Sequence, residues 1–292
     1  MSSFIQDLPL TPFLVIVGVF SGMAALLAFA ASRSRKVAAA IKATPTSNVN
    51  FATDGYVEFE GNAQPVDGTR LSAPLTGAAC LWYHAKIEEW KRKTTKTGAD
   101  WHTVRIRTSS EPFIFRDSSG ECVVFPDGAD VMCTDRSVWF GPTPIPDDKN
   151  PPRKGPFESP EGTVKVYGMP DKKYRYTEER IYAGDPLYAL GQFSTGAPDD
   201  DEADDEADSA ESQDASAGPS WDSPTRLADF RHRALAKTKR RLSQPMGRPY
   251  VLSTTPQAKL LEVHSKGSRG ALLVAVVPLA IAVALLWLRF KG

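Results

Sequence analysis

Few side chains in this 292-residue chain could do chemistry, and the closest pair of reactive types is Cys80 and His84 in the stretch CLWYHAK. If that stretch is a β-strand, both side chains face the same side. Side chains two positions apart on a strand repeat about every 6.6 Å, which is too wide for neighbouring ligands to reach one zinc ion without a bend. With His102 on an adjacent strand, a Cys-His-His metal site or a Cys-His catalytic pair is conceivable. A hydrogen-bonded histidine in a core of small and aromatic side chains is the simpler interpretation.

Other catalytic signatures are missing from the sequence. The three cysteines, Cys80, Cys122 and Cys133, form no C-x-x-C pair, which argues against a disulfide framework and against a cysteine-rich zinc module. Buried free thiols in a reducing compartment are therefore expected. The chain also lacks the nucleophile-elbow, zinc-protease, phosphate-loop and dinucleotide motifs. We predict no cofactor and no metal, and the sequence does not favour an enzyme.

The charged residues are clustered, although the net charge is zero. Residues 198–221 include DDDEADDEAD, a self-repelling block that predicts a disordered acidic insert. A basic run follows over 222–242, where Pro224 suits the first turn of an amphipathic helix. Its cations are the candidate membrane- or partner-binding residues: Arg226, Arg231, Arg233, Lys237, Lys239, Arg240 and Arg241.

Three roles are open for this basic helix. It could lie on anionic lipid, where each cation near the surface contributes about 1 kcal/mol. It could instead be neutralised by the acidic insert, or simply be solvated. A protein or anionic-lipid partner is expected. Nucleic acid is not, because no aromatic platform is interleaved with the charges.

Two apolar runs, residues 12–31 and 270–288, frame the rest of the chain. Each has roughly 20 uncharged residues, enough for a helix to cross a bilayer. A signal peptide is the alternative for the first run, but Asp7 precedes it and no lysine or arginine does. Basic residues such as Arg35 and Lys266 lie on the inner flanks of the runs. The positive-inside rule therefore predicts a cytoplasmic central domain, with both termini outside.

Strand patterns dominate between the runs, over 45–197 and again over 243–265. GYVEFEGNAQPV and CLWYHAKIEEW alternate apolar with polar residues, and the turn DSSG between FIF and CVVF predicts a hairpin. Gly120 and Gly128 are expected to adopt positive φ at turns. WHTVRIRTSS also alternates. One face of that strand should carry Trp101, Thr103 and Arg105, and the other His102, Val104 and Ile106.

These patterns predict a membrane protein in which two transmembrane helices flank a mostly-β (α+β) soluble domain. The domain should be a barrel or a sandwich, and strand alternation alone does not decide between them.

The order of several motifs resembles the GIDE domain, also called BAM, "beside a membrane". The motifs that carry the resemblance are GYVEFEGNAQPV, LSAPLTGAACLWYHAKIEEW, EPFIFRDSSGECVVFPDGADV, RIYAGDPLYALGQF and PYVLSTTPQAKLL. The resemblance covers roughly residues 50–265 together with both apolar runs. The best-known members of that family are membrane-anchored RING-type E3 ubiquitin ligases of mitochondria and chloroplasts.

The resemblance implies a function with one departure from those ligases. Their RING, with about eight Cys and His zinc ligands, follows the second span, whereas only residues 289–292 follow the run here. A RING-less form in a prokaryotic cell membrane is therefore expected. It would act as a sensing or scaffolding domain that binds a protein, peptide or lipid at the membrane surface. The alternative is ubiquitin-protein transferase-like activity. The cytoplasmic placement also departs from the mitochondrial ligases, whose domain faces the intermembrane space.

Overall fold

The computed structural model describes residues 9–66, 71–92, 99–146, 164–167, 173–196 and 240–290. The chain forms two compact units, a helical unit made from its two ends and a β-domain, Pro45–Pro256. The helices are α1, Leu10–Ala43, and α2, Gln257–Phe290. The strands of the β-domain are β1 Gly55–Gln64, β2 Leu71–Ser72, β3 Ala79–Cys80, β4 Trp82–Arg92, β5 Ala99–Thr108, β6 Phe113–Arg116, β7 Glu121–Val124, β8 Asp130–Met132, β9 Asp135–Gly141, β10 Val164–Tyr167, β11 Tyr174–Ile181, β12 Pro186–Ser194, β13 Arg241–Ser243 and β14 Val251–Ser253.

Helix α1 contains the first predicted apolar run and continues through the alanine-rich KVAAAIKA. It ends where Thr44 precedes Pro45, since a residue before proline avoids the helical region, and the Thr44 hydroxyl donates to the Ala40 carbonyl at 2.9 Å. Its length of 34 residues and its apolar composition suffice to cross a bilayer, and only 11% of its most apolar window is buried. The same length and composition also occur in signal sequences and in core helices of soluble proteins.

Helix α2 contains the second predicted run, 270–288, together with Pro278. Within the part of α2 whose side chains are described, the apolar stretch Val274–Arg289 has fewer than 18 residues. The described residues therefore give one candidate span, α1, where the sequence analysis expected two flanking spans. Residues 257–265 also belong to α2 and the helical unit, so the sequence-based boundary of the β-domain at 265 is too late.

Five strands of the β-domain close into a barrel, in the order β1-β6-β7-β13-β12 and back to β1. All neighbours are antiparallel except β7 and β13, which run parallel. On its β13 side, β12 also pairs with β14, which in turn pairs with β8. The barrel alternative is therefore correct for this part of the domain. A five-stranded barrel is the architecture of OB-folds, among others, and such architecture alone names no function.

The barrel interior is filled by the side chains that point inward, which alternate along each strand with side chains that point outward. Phe59 of β1 stacks on Phe115 of β6, with ring centroids 5.6 Å apart, and meets Phe193 of β12 edge-on at 5.3 Å. All three rings are fully buried. A residue larger than glycine at Gly61 would place its Cβ against the Arg116 carbonyl oxygen and the Phe115 ring. That close approach lets β1 bend from β12 onto β6.

A second sheet has the order β10-β9-β11-β4-β5. Its inner face, carrying Tyr83, Ala85 and Ile87 of β4, packs in a core with Trp139 and Tyr176. Its outer face carries the intervening residues of β4, which include His84, Lys86 and Glu88. Strand β5 forms one edge, and among the described residues no strand pairs with its free side.

The alternation predicted for β5 is wrong beyond Val104, because the register shifts there. Lys86 lies opposite Ile106, but Glu88 lies opposite Thr103, with an irregularity between Ile87 and Glu88. The extra residue on β5 makes a β-bulge. As a result Ile106 shares the outer face with Thr103 instead of opposing it.

Other expectations at turns and ends have mixed outcomes. The DSSG hairpin between β6 and β7 is confirmed, and Gly128 has φ +75°. Gly120 is not among the positive-φ glycines, so that expectation is wrong; a Cβ there would instead collide with the Asn50 side chain. The predicted acidic insert and most of the basic helix lie outside the described residues. The last residues of that predicted helix, from Arg241, are strand β13.

Replacing Phe115 by alanine tests the barrel core. Because Phe115 is fully buried, Phe115→Ala should lower the free energy of unfolding of the β-domain by about 3–5 kcal/mol. Phe51, 80% exposed on a turn, gives the matched control, and Phe51→Ala should change it by less than about 0.5 kcal/mol. Denaturant unfolding followed by tryptophan fluorescence measures both, and equal effects would contradict the core assignment.

Candidate functional site

Cys80 and His84 do not come together. Strand β3 ends at Cys80 and β4 begins at Trp82, with the Leu81 amide donating to the Ile181 carbonyl at 2.8 Å. Cys80 packs into the core on the inner face, whereas His84 Nδ1 lies 2.8 Å from Thr108 Oγ1 on the outer face. The expectation that they face the same side is therefore wrong, because the chain breaks strand geometry at Leu81.

The cysteines lie in surroundings that suppress reactivity. Burial, together with the nearby Glu178 carboxylate, raises the pKa of Cys80 to about 12. Burial likewise raises the pKa of Cys122 to about 12 and raises the pKa of Cys133. A thiol with so high a pKa is scarcely ionised at neutral pH and is a poor nucleophile. Among the described residues, no group of three or more His, Cys, Asp or Glu side chains could hold a metal ion.

Alkylation measures the thiol environment directly. In the folded chain at pH 8, the three cysteines should react with iodoacetamide much more slowly than in the chain unfolded by guanidinium, because both burial and the raised pKa disfavour the thiolate. Mass spectrometry of tryptic peptides gives the rate at each site. Rapid labelling of Cys80 in the folded chain would contradict this assignment and revive a nucleophilic role.

Two of the motifs quoted in the sequence analysis meet in a buried polar network around Arg180, here called the arginine cluster. Arg180 Nε donates to Asp135 Oδ2 at 2.7 Å, Nη1 to Thr76 Oγ1 at 2.9 Å and Nη2 to Ser137 Oγ at 2.7 Å. Glu178 lies 3.3 Å from the same guanidinium. Thr76 belongs to APLTGAACLWY and Arg180 to RIYAGDPLYALGQF.

The arginine cluster holds a turn onto the inner face of the sheet. Glu178 accepts the Leu75 amide at 2.8 Å and the Thr76 hydroxyl at 2.5 Å, and Gly77 turns the chain with φ +70°. Burial raises the pKa of Glu178, although the hydrogen bonds from Thr76 and Leu75 and the charge of Arg180 oppose it. These donors and acceptors are engaged with one another, so the cluster positions the chain and offers no reactive group.

Removing the central cation should be costly. Arg180→Ala leaves Glu178 and Asp135 without their cation in a site where Glu178 is fully buried, and breaking a buried pair costs about 3–5 kcal/mol of unfolding free energy. Arg136, which pairs with Glu179 at 3.2 Å but is 48% exposed, is the control. Arg136→Ala should cost at most about 1 kcal/mol. Chemical denaturation compares them, and similar losses would show that burial of the network is not what stabilises it.

The outer face of the second sheet carries a partly exposed group of three aromatic rings and one arginine, here called the aromatic patch and made of Trp90, Trp101, Phe140 and Arg175. The rings of Trp90 and Trp101 lie 5.0 Å apart, and those of Trp101 and Phe140 lie 5.8 Å apart. The Arg175 guanidinium lies 4.7 Å from the centre of the Trp101 ring. Trp90 is 44% exposed, so the patch presents a large apolar ring to its surroundings.

Two cations share one carboxylate beside the aromatic patch. Glu88 accepts both Arg175 at 2.7 Å and Lys86 at 2.8 Å, and these hydrogen bonds lower the pKa of Glu88 although burial alone would raise it. Near the same end of the sheet, Glu89 pairs with Lys173 at 2.8 Å and Lys91 at 2.9 Å. Hydrogen bonds from those lysines lower the pKa of Glu89 to about 2. Each of these two glutamates is thus paired with two cations.

A cleft of about 210 Å³ opens beside β12. It is lined by Glu60, Tyr188, Thr255 and neighbouring residues. The Tyr188 hydroxyl donates to Glu58 at 2.6 Å, and the Thr255 amide donates to Ser253 Oγ at 2.9 Å. Its polar groups thus serve internal contacts, and it gives no catalytic arrangement.

Only two of the candidate basic residues are described. Arg240 Nη1 donates to the Asn50 side chain, next to the DSSG turn, and Arg241 pairs with Ser194 in the barrel. The remaining ones, Arg226, Arg231, Arg233, Lys237 and Lys239, lie outside the described residues, and their role in binding stays a prediction. The sequence analysis missed the aromatic patch, because the bulge in β5 and the pairing of distant strands are what assemble it.

Comparison with known proteins finds no matching family model, no similar curated protein and no similar solved structure. The fold therefore defines the class on its own: a mostly-β domain built on a closed five-stranded barrel, joined to an apolar helix long enough to cross a membrane.

Proposed function

We propose that the protein is a membrane-anchored binding module whose β-domain recruits a protein partner through the aromatic patch. The observation that carries the proposal is the exposure of Trp90, whose ring contacts Trp101 beside the Arg175 guanidinium on the outer face of the sheet. Tryptophan and arginine are the residue types that most often contribute the binding energy of protein interfaces.

The energetics of the aromatic patch favour a binding role over a purely structural one. Trp90 contributes little to a core while it is 44% exposed, yet covering an aromatic side chain of this size removes much apolar surface from water. Arg175 is already oriented by Glu88 and by the Trp101 ring. Side chains held in place before binding lose less conformational entropy when a partner arrives.

The helical unit supports membrane anchoring. The N-terminal part of α1 meets the C-terminal part of α2, since Arg289 lies 4.5 Å from the centre of the Phe13 ring. Buried positions on the two helices include the small residues Ala24 and Ala31 on α1 and Ala275 and Ala282 on α2. Small residues at helix contacts are typical of membrane helix pairs.

Large apolar side chains on both helices, such as Leu26 and Val276, are exposed, as lipid-facing residues are. Our proposal includes α2 as a second span. It also includes a cytoplasmic β-domain, because basic residues such as Arg35 and Lys266 flank the apolar runs of the helices on that side.

The GIDE resemblance and the lipid-binding role of residues 222–242 remain predictions. A membrane-anchored scaffold agrees with both. Ubiquitin transfer gains no support from the described residues, in which no zinc-binding group occurs.

Site-specific photocrosslinking in cells tests the binding module. The full chain would carry the photoreactive residue p-benzoylphenylalanine at position 90 in one variant and at position 51 in a control, where the native Phe51 is 80% exposed. We expect a discrete protein adduct from position 90, because the ring lies in the interface, and none from position 51. The adduct should sediment with membranes after an alkaline carbonate wash, since α1 anchors the chain.

Three results would overturn parts of the proposal. Lack of any adduct from position 90 would remove the aromatic patch as the binding surface. The same adduct from both positions would show non-selective capture. Release of the chain by carbonate would remove the membrane anchor.

A further inference from the structure

One edge of β5, with which no strand among the described residues pairs, lies beside the aromatic patch and shares Trp101 with it. Strand β5 has 10 residues, and most side chains along it are exposed, including Val104 at 43% and Ile106 at 58%. A long unpaired edge can pair with another strand through its backbone hydrogen-bonding groups. A lipid surface contains no polypeptide backbone that could form these hydrogen bonds. The two features together therefore favour a polypeptide ligand.

The orientation of the backbone at this edge follows from one hydrogen bond. The Ser109 amide donates to the Tyr83 carbonyl at 3.0 Å, immediately beside the pair His84 and Thr108. In antiparallel strands, residues that bond to the partner strand alternate with residues that bond outward. Ile106 and Thr108 therefore direct their N–H and C=O groups away from β4, towards the free side.

The side chains of β5 differ between the two faces of this edge. Ile106 and Trp101 lie on the outer face, where Ile106 is opposite Lys86. Arg105 and Arg107 lie on the inner face, opposite Ile87 and Ala85. A strand added here would place alternate side chains beside an apolar row and beside a row of arginines.

We propose that β5 binds an extended peptide of alternating acidic and apolar residues, which joins the sheet as a sixth strand. The inference rests on the proposed binding module and names the chemistry of its partner. Backbone hydrogen bonds to Ile106 and Thr108 supply affinity, as in other cases of strand addition. Carboxylates beside Arg105 and Arg107, and apolar side chains beside Ile106 and Trp101, supply specificity.

Fluorescence anisotropy with the full chain in uncharged detergent tests this directly. The probe is a fluorescein-labelled ten-residue peptide that alternates glutamate with valine, and the control peptide alternates lysine with valine. We expect saturable binding of the glutamate peptide and none of the lysine peptide, because of the arginine row. Ile106→Pro removes an outward N–H that β4 does not use, so it should weaken binding at least about tenfold, while Ile106→Thr, which keeps the N–H, should stay within about threefold.

A second measurement does not depend on how well Ile106→Pro folds. The probe is N-methylated either at every glutamate or at every valine. Only one set of peptide N–H groups can face β5, so one methylated peptide should lose binding and the other should keep it. Equal binding of both to the native chain would overturn strand addition.

The other outcomes of these experiments also test the inference. No binding of the glutamate peptide to the native chain, or equal binding to the native chain and a folded Ile106→Pro variant, would overturn the inference. Binding of phosphatidylserine vesicles without binding of the peptide would identify a lipid surface instead. If position 90 still gives its cellular adduct in an Ile106→Pro background, the edge inference fails alone, whereas loss of the adduct in the otherwise native chain removes the binding module itself.

Discussion

The β-domain depends on the neutralisation of one buried cation. Arg180 is 5% exposed, and its guanidinium is balanced by Asp135 on β9 and Glu178 on β11. A buried charge without such partners costs far more than one hydrogen bond returns, so β9, β11 and the turn at Thr76 must keep their mutual register. Arg180 is also the penultimate residue of β11, and Tyr182, just beyond the strand, donates to Asp135 at 3.1 Å. The connection from the second sheet into the barrel strand β12 is therefore fixed at the same point.

Different parts of the β-domain provide its stability and its candidate binding surface. The barrel and the inner face of the second sheet hold its apolar cores, built from residues such as Phe59 and Tyr176. The outer face carries mostly half-buried side chains, and the β5 edge carries mostly exposed ones. A rigid sheet that is stabilised from one side can carry a binding surface on the other at little cost to folding. The bulge at Val104 illustrates this arrangement, because it changes which residues are presented without altering the core positions at Ala85 and Ile87.

Sequence patterns predicted local elements better than their partners. Alternation identified β1 and β4, and a turn motif identified the β6–β7 hairpin, since these depend on neighbouring residues. Strands β8, β9 and β13 were missed, because parallel pairing or distant antiparallel partners specify them. The Cys80–His84 geometry failed for a related reason. A single break at Leu81, set by the hydrogen bond to Ile181, reverses which face a side chain joins, and no local pattern reports it.

The pairing of Ser194 with Arg241 has a consequence for how this chain tolerates change. Strands β12 and β13 are antiparallel neighbours in the barrel, so their pairing requires only that the connecting chain returns from Ser194 to Arg241. The entropic cost of closing such a connection grows only with the logarithm of its length. Charge content and length between 196 and 240 can therefore diverge without altering barrel closure. This connection is the place where the same scaffold could acquire a different set of interactions.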